Sequence, residues 1–152
     1  MVTLQQVRAI LDSDEPEYAL AAKLGPDALP HIEALVKGSD PMIASKATYL
    51  AGLIQDNRST ALLKVAAQSK YPEVRIAAAA GARHQSPQAA SDVLLILLED
   101  RDPGVRKIAL KSAPPDASPG LRKKIESLTT KDPENFLRSL STDVFSRLRK
   151  NP

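Results

Sequence analysis

The chain of 152 residues has no cysteine and no tryptophan. Without cysteine there are no disulfides, no thiolate-bound zinc, no iron–sulfur cluster and no thiol nucleophile. Its two histidines, His31 and His84, are too few for a histidine-rich metal site. Aromatic side chains make up 3% (Tyr18, Tyr49, Tyr71, Phe136, Phe145), too few to expect a base-stacking platform or an aromatic cage. Six glycines are scattered at 25, 38, 52, 81, 104 and 120, so no glycine-rich loop can cradle a phosphate. The longest aliphatic run, Val93 to Leu98, is six residues, against roughly 20 for a membrane-spanning helix. The N-terminal residues have apolar side chains at helical spacing but no basic start or small-residue cleavage site, unlike a secretory leader. The expectation is a cytoplasmic protein with no metal and no cofactor.

Hydrophobic residues at 43% and charged residues at 26% are what a folded domain requires. The net charge of +3 is unevenly spread. Residues 1–100 carry 9 Lys and Arg against 12 Asp and Glu, whereas residues 101–152 carry 12 against 6. A basic half of this kind is compatible with phosphate-backbone binding, and equally with an ordinary solvated face.

The dominant feature is a repeat. Asp40-Pro41, Tyr71-Pro72, Asp102-Pro103 and Asp132-Pro133 each precede a helix-forming run, with prolines 31, 31 and 30 residues apart. A shortened copy begins at Glu15-Pro16, 25 residues ahead of Pro41. Proline suits the first helical position, where its missing N–H costs nothing, and an Asp before it can cap the free amides. Two residues after proline stand Tyr18, Ile43, Val74 and Val105, and six after it Ala22, Ala47, Ala78, Ala109 and Ser139. A small residue at that slot in every copy predicts close helix packing. Between these helices a second set is predicted at about 28–37, 59–69, 87–99 and 118–129, with apolar stripes such as Val93, Leu94, Leu97 and Leu98. No segment alternates with period two for long enough to form a strand. A longer last helix, about 132–149, carries Phe136, Leu137, Leu140, Val144, Phe145 and Leu148, large apolar residues suited to cover a terminal interface.

These residues resemble HEAT and HEAT-like repeats, which include the bilin-lyase-type repeat proteins. The strongest likeness runs from Val93 through Asp100, Asp102-Pro103 and Val105-Arg106 to Leu110. The resemblance implies an all-α, right-handed α-solenoid of about five antiparallel helix pairs in one domain, with units near 3–25, 26–54, 58–84, 87–114 and 118–150. The Arg characteristic of the family is present at Arg75 and Arg106, while by counting from proline the matching slots hold Ala44 and Phe136. Its Asp is present at Asp100, with Gly38, Ser69 and Thr130 at the other slots. Arg75 and Arg106 are therefore expected to bridge adjacent units within a partial Asp–Arg ladder.

No catalytic constellation stands out. HEAT-like metal hydroxylases carry repeated His-Glu pairs, but here His31 precedes Ile32 and His84 precedes Gln85. The expectation is a protein that is not an enzyme but a scaffold or adaptor for another protein. The resemblance places the post-proline helices on the concave surface, and positions one, four, eight and twelve after each proline then face the groove. The candidate partner-binding residues are Tyr49, Leu53 and Ile76 as an apolar centre, with Lys107, Lys111 and nearby Arg83 as a basic rim. Alternatives are nucleic-acid binding by the basic half, including Arg122-Lys123-Lys124 and a separate terminal patch at Arg147-Leu148-Arg149-Lys150, or a bilin-lyase-like chaperone.

Overall fold

The computed structural model describes residues 1–150. Ten helices follow one another: α1 Leu4–Leu11, α2 Tyr18–Ala22, α3 Leu29–Val36, α4 Pro41–Gly52, α5 Asn57–Ala66, α6 Pro72–Ala82, α7 Pro87–Leu97, α8 Pro103–Lys111, α9 Pro119–Lys131 and α10 Asn135–Arg147. They form five antiparallel pairs, and no strand occurs among the described residues. No helix is long and apolar enough to cross a membrane.

Sequence chemistry sets the helix starts. Pro41, Pro72, Pro87, Pro103 and Pro119 each open a helix. Asp40 accepts from the Met42 and Ile43 amides, and Asp102 from the Gly104 amide. Ser86 and Ser118 cap α7 and α9 in the same way. Each such cap is worth about 1 kcal/mol. The predicted packing slots are buried: Ile43, Val74 and Val105 two residues after proline, and Ala47, Ala78 and Ala109 six after it. From α4 onward the even-numbered helices pack against one another more closely than the odd-numbered ones do, as expected of the inner helices of such a solenoid.

The last unit departs from the expected register. Pro133 lies in the turn, and α10 begins two residues later at Asn135 with Glu134 as its N-cap. Counted from Asn135, the two slots are Leu137 and Ser141, both fully buried, while Ser139 is exposed. Phe136 consequently points outward, 52% exposed, and does not cover the terminal interface. Phe145 is partly buried beneath the Arg122 guanidinium, 4.5 Å from its ring centre.

The same shift extends the ladder into the last unit. Arg75 donates from Nε to Asp100 at 2.7 Å and from Nη1 to the Ser69 carbonyl at 2.8 Å. Arg106 repeats this with Asp132 at 3.0 Å and the Asp100 carbonyl at 2.9 Å. Arg138 then takes the position in α10, its Nη1 donating to the Asp132 carbonyl at 2.7 Å. The ladder residues of the last unit are thus Asp132 and Arg138, correcting Thr130 and Phe136. Asp100 and Asp132 also accept from the backbone amide two residues on, at 2.9 Å each, and Ser69 performs that task for Tyr71 at 3.1 Å.

Candidate functional site

Two groups of side chains converge on the concave side. The first spans α2, α4 and α6. Tyr18 and Tyr49 meet edge to face with ring centres 4.9 Å apart, and the Tyr49 hydroxyl hydrogen-bonds His84 Nε2 at 3.0 Å. Burial, and then the neighbouring Tyr49 phenol, hold the Tyr18 hydroxyl above its ordinary pKa. Desolvation, and then the positive charge of Arg83, hold His84 below the ordinary histidine value. Near neutral pH, His84 is therefore an uncharged imidazole hydrogen-bonded to the Tyr49 hydroxyl.

The second group is a cleft of about 520 Å³ between the C-terminal ends of α6, α8 and α10. That size falls within the roughly 300–1,000 Å³ typical of small-molecule sites. Leu110, Ala113, Pro115, Leu140, Val144 and Leu148 supply apolar lining, and Arg83, Lys111 and Arg147 supply positive charge. Each cation sits at the end of its own helix: Arg83 is the C-cap of α6, and Lys111 and Arg147 are the last residues of α8 and α10. There they complement the helix dipoles. None of the three has a carboxylate partner among the described residues. Three uncompensated cations over an apolar lining suit an amphipathic anion, above all one bearing carboxylates.

Of the sequence-derived candidates, Arg83 and Lys111 meet in this cleft, and Tyr49 joins His84 beside Arg83. Leu53 and Ile76 are half-buried, Ile76 against the core, and Lys107 is exposed one turn before Lys111 and outside the cleft lining. Arg147 does not belong to a separate terminal patch, because the antiparallel return of α10 brings it beside Lys111. Sequence reasoning placed Arg147 in a terminal patch and not in this cleft, and missed Tyr18 and the bond between Tyr49 and His84. A basic residue at the end of each of α6, α8 and α10 was the available signal for Arg147; spacing from proline put Tyr49 and His84 on the same groove but gave no signal of Tyr18.

Much of the basic half is otherwise engaged. Lys124 pairs with Glu99, Arg149 with Asp116 at 3.0 Å, and Arg106 is buried in the ladder. No cluster of three or more His, Asp or Glu able to hold a metal occurs among the described residues.

No family model and no curated protein sequence matches the chain. Among solved structures it is similar to the complex of CpcE and CpcF of phycocyanin lyase from Nostoc sp. PCC7120. The TM-score is 0.71 at 20% identity, covering 93% of this chain and 96% of that one. The likeness is one of fold, and the fold is the HEAT-like α-solenoid of bilin-lyase-type proteins. This overturns the expectation that the chain is not an enzyme. The solenoid it matches over nearly its full length belongs to a phycocyanin lyase complex, so the lack of a catalytic motif in the sequence does not exclude catalysis.

Proposed function

We propose that the protein is a bilin-lyase-like solenoid that holds a linear tetrapyrrole in the cleft between α6, α8 and α10 and acts together with a protein partner. The observation that carries this reading is the cleft itself, three unpaired cations over an apolar lining. A linear tetrapyrrole is a flat apolar conjugated system with two propionate groups, so lining and rim each have a counterpart on the ligand. Arg83 and Arg147 can hold carboxylates in bidentate fashion, and Lys111 acts as a point charge. The fold likeness to a lyase made of two different subunits supports a protein partner. Tyr49, Leu53, Ile76 and Lys107 provide the concave surface for it.

Titration of the purified protein with biliverdin tests this reading through the visible absorption and induced circular dichroism of the pigment. Binding is expected to produce an induced signal. Arg83→Glu, Lys111→Glu or Arg147→Glu should each weaken it by about tenfold or more, as should esterifying both propionates. A spectrum unchanged by the protein, or an ester bound as well as the acid, would remove the reading.

A further inference from the structure

Among the described residues the Arg–Asp ladder leaves one arginine without an acid and one carboxylate at a ladder position without an arginine, and the two are complementary. In each complete rung an arginine three residues into an even-numbered helix takes the acid of the next unit. That acid stands two residues before the next N-cap: Asp100 before Asp102, and Asp132 before Glu134. At the C-terminal end Arg138 is already held in this geometry by the carbonyls of Asp132 and Pro133, at 2.7 and 3.3 Å. Its Nη2 reaches only the Asn135 side chain at 3.3 Å, and its Nε has no acceptor among the described residues. No carboxylate among the described residues reaches it. Near the start of the described residues the N-cap of α2 is Glu17, and two residues before it stands Glu15, an exposed carboxylate at the ladder position.

We propose that these ends join: a second copy of this chain stacks head to tail, its Glu15 completing the rung that Arg138 leaves open. The surrounding charge agrees. Residues 1–28 carry five carboxylates against Arg8 and Lys23, whereas residues 119–150 carry eight Lys and Arg against four carboxylates. Each end also exposes large apolar side chains, Leu4 at 40% and Leu20 at 51% on one and Phe136 at 52% on the other. A terminal unit of a closed array would cover such groups with polar ones. Because the contact is heterologous, it propagates along one axis and does not stop at a dimer.

Sedimentation velocity over a range of protein and salt concentrations tests this. The chain should form a concentration-dependent series of lengthening species that shortens as salt rises. Arg138→Glu and Glu15→Arg should each weaken association at least about tenfold. Mixed in equal amounts, these two variants should associate again into alternating chains, since both contacts between unlike variants pair opposite charges while contacts between like variants do not. The double variant Glu15→Arg/Arg138→Glu should associate again. Lys131→Glu, exposed on the same end but outside the ladder, should have the smaller effect. A monomer at every concentration, a closed dimer, failure of the mixture to pair, or an equal effect of Lys131→Glu would each overturn the proposal.

Discussion

The interface between α4 and α6 and the interfaces between α6, α8 and α10 solve one packing problem from opposite ends. In the first, Gly52 lies against Gly81 so closely that a side chain at Gly52 would meet the Gly81 backbone. That contact lies at the C-terminal ends of the helices. It is reinforced there by Gln85, donating to the Gly52 and Ile54 carbonyls at 2.6 and 3.2 Å, and by Tyr49 on His84. No ladder rung exists here, because its positions hold Ala44 and Ser69. In the later interfaces the Arg–Asp rungs tie the N-terminal ends. The position of Gly52 is then filled by Arg83 and Pro114, and that of Gly81 by Ser112 and Val144. Bulk at the C-terminal ends keeps those helices apart, and the basic cleft occupies the space. The site is thus a consequence of where the repeat is fastened.

Cutting a rung sharpens the contrast most. The Asp132 side chain is fully buried and accepts from Arg106 and from the Glu134 amide. Asp132→Ala strands the Arg106 guanidinium, a loss of about 3–5 kcal/mol. Replacing Arg106 and Asp132 together by methionine and leucine should recover most of that loss, because the pair repays little beyond its own desolvation. Urea denaturation monitored by circular dichroism measures both. A single variant as stable as the parent would mean the rungs do not fasten the C-terminal units.

The repeat, the helix pairs and three of the ladder residues, Arg75, Asp100 and Arg106, were legible in the sequence because proline at a helix start is a local signal. The register of the last unit was not. The letters Asp-Pro play two parts here: Asp102-Pro103 is cap and first helical residue, whereas Asp132-Pro133 is ladder acid and turn. The distinction depends on whether the acid meets an arginine from the preceding unit, a tertiary fact. For the same reason Arg83 and Lys111 could be placed on one rim by helical spacing within each unit. Arg147 joins them only through a return of the chain that spacing does not encode.

A second test attacks the other fastening. Gly52→Ala would place a methyl group within 2.6 Å of the Gly81 carbonyl carbon. Backbone must move to admit it, so the overpacking cost of about 1–3 kcal/mol outweighs the roughly 1 kcal/mol gained in helix propensity. The reciprocal change is not equivalent. A Cβ at Gly81 meets the Gly52 Cα, a Leu63 methyl and the Thr48 carbonyl all at 3.4 Å, ordinary contact. Gly81→Ala should therefore be neutral or stabilising by up to about 1 kcal/mol. Thermal melts of the two variants, shifted in opposite directions or one alone lowered, would locate the close approach at Gly52; equal shifts would remove it.

The smallest effect falls on the Tyr49–His84 link, which crosses the same interface in place of a rung. Since burial and Arg83 lower the His84 pKa in the folded chain, its NMR titration midpoint should lie below the ordinary histidine value of 6.5. The unfolded chain then binds the proton more readily. Stability contributed by neutral His84 is fully present above about pH 6.5 and is lost as pH falls through the folded midpoint. Arg83→Ala removes the nearby charge and should raise that midpoint while leaving it below the ordinary value, because desolvation is the larger cause. Tyr49→Phe, which deletes the hydroxyl alone, should lower stability by about 1 kcal/mol at neutral pH. If the link substitutes for a rung, that loss should be smaller at acidic pH, where the imidazolium has already disturbed the interface. A loss independent of pH would separate the aromatic contact from the fastening of α4 to α6.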